Sequence, residues 1–181
     1  MRIISGALGG RRFQPPASMP HTRPTTDIAK EGLFNMLQNQ VSFGSLRTLD
    51  LFGGTGSITY ELASRGVTDL TIVEKDAAMF SFIKHTLESF RISGVRPVRA
   101  DVFRFLQQCQ ETFDLIFAGP PYALADIDSL PRLIFERKLL RKSGWFILEH
   151  TPRNGYAEWP YFKSQRNYGT TVFSFFLETR D

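Results

Sequence analysis

The sequence predicts an α/β fold, with helices on both faces of a mostly parallel sheet of about seven strands and an antiparallel hairpin at its C-terminal end. Two observations support this prediction. After the first thirty residues, apolar strand-like runs alternate with helical patterns along the chain. The first strand runs into a glycine-rich turn, and a later strand ends in two prolines. The 181 residues suffice for one well-packed core.

The spacing of apolar residues places the individual elements. Residues 76–90 have apolar side chains at helical spacing. Asp101 can cap the short helix that follows it, and Gly169 joins the last two strands into a hairpin. The predicted strands are residues 47–52, 70–74, 95–100, 113–118, 145–149, 161–168 and 171–178. The predicted helices are residues 25–38, 57–65, 76–90, 102–108 and 130–140.

The N-terminal forty residues are predicted to form a basic extension of the same domain, ahead of a main body at residues 41–181. Residues 2–5 and 11–13 flank a glycine-rich turn and suggest a small β-hairpin, followed by the first helix. The whole positive excess of the chain, +4, lies within residues 1–30. Such an arm is expected to contact a polyanion, although a solvated arginine-rich edge gives the same charge count.

Composition excludes several classes of protein. Cys109 is the only cysteine, so no intrachain disulfide can form and no cysteine-based zinc site is expected. The three histidines are far apart and do not have metal-ligand spacing. The sequence has no apolar run of about 18 residues and no signal-like start. We therefore expect a cytoplasmic protein without a metal or a membrane partner.

The glycine-rich turn at residues 53–56 indicates a nucleoside cofactor. A dinucleotide fingerprint needs a third glycine, and that position is Thr59, which argues against a nicotinamide dehydrogenase. Asp50, just before the turn, favours a cofactor with a positive group. Glu74 and Asp101 end the next two strands, where acids can accept hydrogen bonds from ribose hydroxyls and from an adenine amino group.

The second motif is the turn Gly119-Pro120-Pro121-Tyr122 at the end of the fourth strand. Two prolines make the turn rigid. The carbonyls of Gly119 or Pro120 can then accept hydrogen bonds from a planar amino group, while Tyr122 stacks on the base. The turn therefore predicts methyl transfer to a planar amine, with catalysis dominated by positioning.

These motifs resemble the bacterial 16S rRNA (guanine-N2) methyltransferases, the RsmD-like family. The resemblance covers most of the chain and includes Arg2–Gly6, Gly9–Arg12, Arg23-Pro24-Thr25, Phe34-Asn35, Asp50–Gly56, Glu61, Ser64-Arg65-Gly66, Glu74 and Phe113–Tyr122. It implies a Rossmann-like class I fold that binds S-adenosylmethionine (SAM). It also implies methylation of a guanine N2 amine in 16S rRNA on the assembling 30S subunit.

The resemblance implies three groups of site residues. The predicted cofactor site comprises Asp50, Phe52, Gly53, Gly54, Gly56, Glu74, Lys75, Asp101 and Val102. The predicted catalytic residues are Gly119, Pro120, Pro121 and Tyr122. The predicted RNA contacts are Arg2, Arg11, Arg12, Arg23 and Thr25.

The chain departs from the family at Gly119, because the family reads Asp-Pro-Pro-Tyr at this turn. Loss of one such acceptor typically costs about 10²–10³ in rate. The sequence leaves three explanations open: a weakened enzyme, compensation by another acid such as Asp126 or Asp128, or an altered sequence. Two other functions also stay open, a SAM-binding RNA assembly factor without catalysis and a methyltransferase acting on adenine N6 or protein glutamine.

Overall fold

The computed structural model describes residues 1–19 and 24–180 and contains the predicted seven-stranded sheet. The strands are β1 Arg47–Leu51, β2 Asp69–Val73, β3 Val95–Val98, β4 Phe113–Ala118, β5 Leu140–His150, β6 Phe162–Tyr168 and β7 Thr171–Leu177. The helices are α1 Asp27–Leu37, α2 Ser57–Ser64, α3 Ala77–Ser89, α4 Val102–Gln108 and α5 Ser129–Glu136, with a 3-10 turn at Phe43–Ser45. None of the helices in the described ranges has the length and apolarity needed to cross a membrane.

The strand order is β3-β2-β1-β4-β5-β7-β6. The strands from β3 to β5 pair in parallel, and β7 lies antiparallel between β5 and β6. This confirms the predicted mixed sheet with a C-terminal hairpin. The order reverses between β1 and β4, and the carboxyl ends of strands at such a point form the ligand crevice of an open α/β sheet.

Helices cover both faces of the sheet, and the alternating side chains of β4 show which helices cover each face. Leu115 and Phe117 pack in the cluster that contains α1 and α2, whereas Ile116 and Ala118 pack in the cluster that contains α4 and α5. Because side chains on a strand alternate between faces, a strand buried on both faces is apolar throughout. The apolar runs of the sequence are therefore explained by two helical layers.

The predicted helix at residues 130–140 was wrong at its C-terminal end. The helix α5 ends at Glu136, because Lys138 adopts a left-handed conformation with φ 53°. The amide of Leu139 then donates to the carbonyl of Ile134 at 3.1 Å, a bond typical of a helix that ends in a left-handed residue. Leu140 already pairs with Phe113 as the first residue of β5, so that strand starts five residues before the predicted one.

The predicted N-terminal hairpin is present as a short one, with an antiparallel bridge between Arg2 and Arg12. Backbone hydrogen bonds join its two sides, from the amide of Ile3 to the carbonyl of Arg11 at 2.9 Å and from the amide of Phe13 to the carbonyl of Met1 at 3.1 Å.

A buried carboxylate holds this hairpin against α2. Glu61, on α2, accepts the amides of Ile4 at 2.8 Å and Ser5 at 3.0 Å. The ammonium of Lys30 lies 3.4 Å from the same carboxylate, and both side chains are almost completely buried.

The buried Lys30–Glu61 pair joins the N-terminal segment, α1 and α2. The ammonium of Lys30 also donates to the carbonyl of Arg2 at 2.6 Å and to the hydroxyl of Ser57 at 3.0 Å. Burial lowers the pKa of Lys30, and the neighbouring Glu61 partly opposes this shift. Glu61 also pairs with Arg65 at 3.0 Å. The buried charge of Lys30 therefore depends on Glu61, whereas Glu61 has two cationic partners.

Replacing Glu61 with Gln should lower the free energy of unfolding by about 3–5 kcal/mol, because Lys30 then keeps a buried charge without its counter-charge. Urea denaturation followed by tryptophan fluorescence measures the change. Asp69→Asn is the matched control. It removes a carboxylate that lies 3.4 Å from Arg47 but is 60% exposed, so it should cost less than about 1 kcal/mol. An equally small loss for Glu61→Gln would contradict the proposed importance of the buried pair.

Candidate active site

A cavity of about 590 Å³ opens at the carboxyl ends of β1, β2, β4 and β5, where the strand order reverses. It brings together the two motifs of the sequence. Of the predicted residues, it is lined by Asp50, Phe52, Gly53, Gly54, Glu74, Lys75, Asp101, Val102, Gly119, Pro120, Pro121, Tyr122 and Thr25. Gly56 is not among the residues that line it in the described part of the chain.

Packing within the protein explains why the turn after β1 needs glycines. A Cβ at Gly53 would lie 2.5 Å from a side-chain carbon of Ile72, and one at Gly56 would lie 2.3 Å from the hydroxyl of Tyr60. Gly56 also has φ 83°, which favours glycine. The glycines thus let the turn approach β2 and α2, and the turn then forms one wall of the cavity.

Asp50 is a buried acid at this wall, with only 3% of its surface exposed. The hydroxyl of Thr59 donates to its carboxylate at 2.8 Å. Burial raises the pKa of Asp50 to about 7, and the hydrogen bonds from Thr59 act in the opposite direction. A positive group in the cavity would stabilise the ionised form of this acid.

Glu74 is held rigidly at the end of β2. One carboxylate oxygen accepts the amide of Gly54 at 2.9 Å, and the other accepts the amide of Asp76 at 2.8 Å. Asp101 caps α4 by accepting the amide of Arg104 at 3.1 Å, and it lines the same wall. The three predicted acids therefore face one cavity, although two of them also have structural roles.

The Pro-Pro-Tyr turn forms another wall of the cavity. The amide of Gly119 donates to the carbonyl of Leu51 at 3.3 Å, which holds the turn beside β1. The hydroxyl of Tyr122 donates to Glu149 at 3.2 Å and lies 3.2 Å from the hydroxyl of Thr171. These contacts fix the ring of Tyr122 at the edge of the cavity.

Glu149 is a site residue that the sequence analysis missed. It lies near the end of β5, is only 4% exposed and lines the cavity. The hydroxyl of Thr25 donates to it at 2.7 Å. Burial raises the pKa of Glu149, whereas the hydrogen bonds from Thr25 and Tyr122 lower it. The signal was available, because Glu149 is an acid near the carboxyl end of a parallel strand, like Asp50 and Glu74.

The predicted RNA contacts that the structure describes lie on the N-terminal hairpin, where Arg2 and Arg12 are bridge partners, and in the cavity wall. Thr25 lies in the cavity wall beside Glu149. Arg2 pairs with Asp27 at 3.3 Å, and the guanidinium of Arg11 lies 5.4 Å from the ring centre of Phe90. Arg12 is exposed. Arg23 lies outside the described residues.

The acids suggested to compensate for Gly119 do not reach the cavity. Neither Asp126 nor Asp128 is among its lining residues. Asp128 instead accepts a hydrogen bond from the hydroxyl of Tyr156 at 2.8 Å. Within residues 1–19 and 24–180, no cluster of three or more histidine, cysteine or acidic side chains could hold a metal ion.

The cavity residues fit the SAM that the sequence predicts. SAM supplies an electrophilic methyl group on a positively charged sulfur and also carries an ammonium group. The buried carboxylate of Asp50 suits such a cation, and the fixed carboxylate of Glu74 lies where ribose hydroxyls are bound in this class of sheet. Val102 and Phe52 supply apolar surface in the same cavity.

The affinity for SAM should fall by about eightfold when the pH is lowered from 7.5 to 6, because only ionised Asp50 attracts the cation and its pKa is about 7. Isothermal titration calorimetry in two buffers of different ionisation enthalpy measures both the affinity and the proton release. Asp50→Asn should bind more weakly and lose this dependence on pH. An affinity of the unmodified protein that stays constant over this range would contradict the assignment of Asp50.

Comparison with known proteins identifies relatives along nearly the whole chain. The family described as "Conserved hypothetical protein 95" matches residues 1–177. YlbH of Bacillus subtilis (strain 168) is 36% identical over 154 residues, covering 83% of this chain and 82% of that protein. Ribosomal RNA small subunit methyltransferase D of Escherichia coli (strain K12) is 29% identical over 155 residues, covering 86% of this chain and 77% of that protein.

The fold is shared as well. The solved structure of yhhF from Escherichia coli has a TM-score of 0.84 and 25% sequence identity, and the alignment covers 100% of this chain and 99% of that one. The family match, the relative at 36% identity and the cavity agree with the resemblance found in the sequence. The chain therefore belongs to this family, the RsmD-like methyltransferases that use S-adenosylmethionine as the methyl donor.

Proposed function

We propose that this protein transfers a methyl group from SAM to the exocyclic N2 amine of a guanine in 16S rRNA, during assembly of the 30S subunit in the cytoplasm. One observation carries the proposal: a single cavity contains both the acidic cofactor wall and the rigid Pro-Pro-Tyr turn. The E. coli relative is named as a small-subunit rRNA methyltransferase, which supports rRNA as the substrate.

The two walls have different roles in this proposal. Asp50 and Glu74 bind the cofactor, while Pro120, Pro121 and Tyr122 receive the base. The ring of Tyr122 stacks on the guanine, a type of contact worth about 1–3 kcal/mol per base. Backbone carbonyls of the turn orient the amine so that its nitrogen faces the methyl group. Positioning of this kind supplies most of the rate in an in-line transfer.

The N-terminal residues 1–40 form the RNA-contacting extension in this proposal. Arg11 and Arg12 are exposed, and they lie on a segment that is tied to α2 through Glu61. Because backbone contacts and the Glu61 carboxylate fix this segment, the arginines hold a set position relative to the cavity. They can therefore bind phosphates that flank the target base.

Methyl transfer from radiolabelled SAM to 30S particles that lack guanine-N2 methylation tests the proposal. Digestion of the rRNA and mass spectrometry of the nucleosides should show N2-methylguanosine. The matched control, Asp50→Asn, should transfer far less methyl at limiting SAM. RNA binding without any product would instead favour an assembly factor without catalysis. This alternative follows from the glycine at position 119, which replaces the acid of the family. Methyladenosine or methylated protein would favour a different planar amine.

Replacing Arg11 and Arg12 together with alanine should weaken rRNA binding and make it less sensitive to salt. Each lost phosphate contact should lower the slope of log affinity against log salt by about 1. Filter binding between about 50 and 200 mM salt, a range over which such contacts change the affinity strongly, measures the slope. SAM affinity, measured in parallel, should be unchanged. If the double variant keeps the original slope, these arginines do not contact the RNA.

A further inference from the structure

The structure shows which group faces the position where the family carries an aspartate. An added Cβ at Gly119 would lie 3.2 Å from the Oε2 atom of Glu149 and 3.1 Å from the ring of Phe117. The carboxylate of Glu149 therefore lies directly beside the space that an acidic side chain at position 119 would enter. The acid is missing from the turn after β4, but a buried acid from the neighbouring strand β5 is close by.

The hydrogen bonds of Glu149 leave it able to accept another one. Its Oε2 atom accepts the hydroxyl of Thr25 at 2.7 Å, and its Oε1 atom accepts the hydroxyl of Tyr122 at 3.2 Å. Each oxygen of an ionised carboxylate has two lone pairs, so one donor on each leaves capacity for a further donor. These two donors also fix the orientation of the carboxylate at the cavity wall.

We propose that Glu149 provides, from β5, the carboxylate that binds and deprotonates the target amine in this enzyme, in place of an acid at position 119. This inference rests on the proposed function. It assigns the role to a residue outside the Gly-Pro-Pro-Tyr turn, and it explains how a chain with glycine at position 119 retains an acid at the reacting nitrogen. Glu149 would thus be a catalytic residue that the motif does not contain.

The reaction step balances with Glu149 as the base. The amine nitrogen uses its lone pair to form a bond to the methyl carbon, and the carbon–sulfur bond breaks with its electron pair going to sulfur. The positively charged nitrogen then gives one of its two original protons to the carboxylate of Glu149. The products are the methylated amine, a neutral thioether and a protonated Glu149, which returns its proton to water in the open cavity.

Burial of Glu149 suits this role. A carboxylate with a raised pKa is a stronger base than one in water. Glu149 is almost completely buried, yet it faces a cavity that receives a cationic cofactor. The positive charge of the cofactor favours the ionised, proton-accepting form before transfer.

A purely structural role is the alternative, because Glu149 also ties Thr25 to β5 and to Tyr122. Glutamine has nearly the same shape as glutamate. In Glu149→Gln the side-chain oxygen still accepts one of the two hydroxyls, and the amide group can donate to the other. A structural role of Glu149 would therefore survive this substitution, whereas its role as a proton acceptor would be lost.

The experiment compares four proteins by methyl transfer to 30S particles: the unmodified protein, Glu149→Gln, Glu149→Gln combined with Gly119→Asp, and Asp126→Asn. We expect Glu149→Gln to lower kcat by about 10²–10³-fold, with unchanged SAM affinity and unchanged thermal denaturation. The double variant restores a carboxylate from the adjacent position and should recover at least about tenfold of that loss. Asp126→Asn should keep full activity, because it changes an acid that follows the Pro-Pro-Tyr turn in the chain but does not line the cavity.

The dependence of kcat on pH separates a base from a tether. In the unmodified protein, kcat should fall at low pH, because the base becomes protonated. In Glu149→Gln this decrease, the acid limb of the pH profile, should be absent. If Glu149→Gln keeps the activity and the acid limb of the unmodified protein, Glu149 is not the base, although the methyltransferase function stands. If the unmodified protein itself transfers no methyl group, the proposed function and this inference are both overturned.

Discussion

The parallel pairing of β1 with β4 is the constraint on which the site depends. It aligns Leu51 with Ala118, so that the glycine-rich turn and the Pro-Pro-Tyr turn leave the sheet at the same edge. The amide of Gly119 continues the pairing by donating to the carbonyl of Leu51. Motifs that are distant in sequence thereby become two walls of one cavity, and the helices on both faces hold this register by burying both sides of the strands.

The edge formed by this pairing concentrates buried negative charge. Asp50 and Glu149 are both nearly inaccessible to water, and burial raises the pKa of each. Such an arrangement costs folding free energy, because a charge loses its hydration when it is buried. Hydrogen bonds from Thr59, Thr25 and Tyr122 offset only part of the cost. A bound cation would offset more of this cost, which agrees with the proposed binding of a positively charged cofactor beside these acids.

The N-terminal segment belongs to the core as much as to the surface. Glu61 holds its backbone from α2, and Lys30 and Arg65 both pair with that carboxylate. Thr25 reaches the cavity and donates to Glu149. The arm was expected to be a hairpin because of its turn residues, and the structure contains a short one, with one bridge and backbone hydrogen bonds between its two sides. Side-chain contacts from α2 then hold this hairpin against the core. In consequence, the segment proposed to bind RNA is connected directly to the residues around the target amine.

The sequence by itself determined the alternation of strands and helices, the two motifs and the acids at strand ends, because periodicity, turn chemistry and composition are local properties. Those local properties also predicted the wall formed by Asp50, Glu74 and Asp101. Tertiary structure alone decided that Lys138 ends α5 in a left-handed conformation, where the sequence has no glycine to mark the end. It also decided that Glu149, and not Asp126 or Asp128, faces Gly119. That outcome depends on which strand lies next to β4, and strand order is fixed by packing across the whole sheet and not by any local pattern.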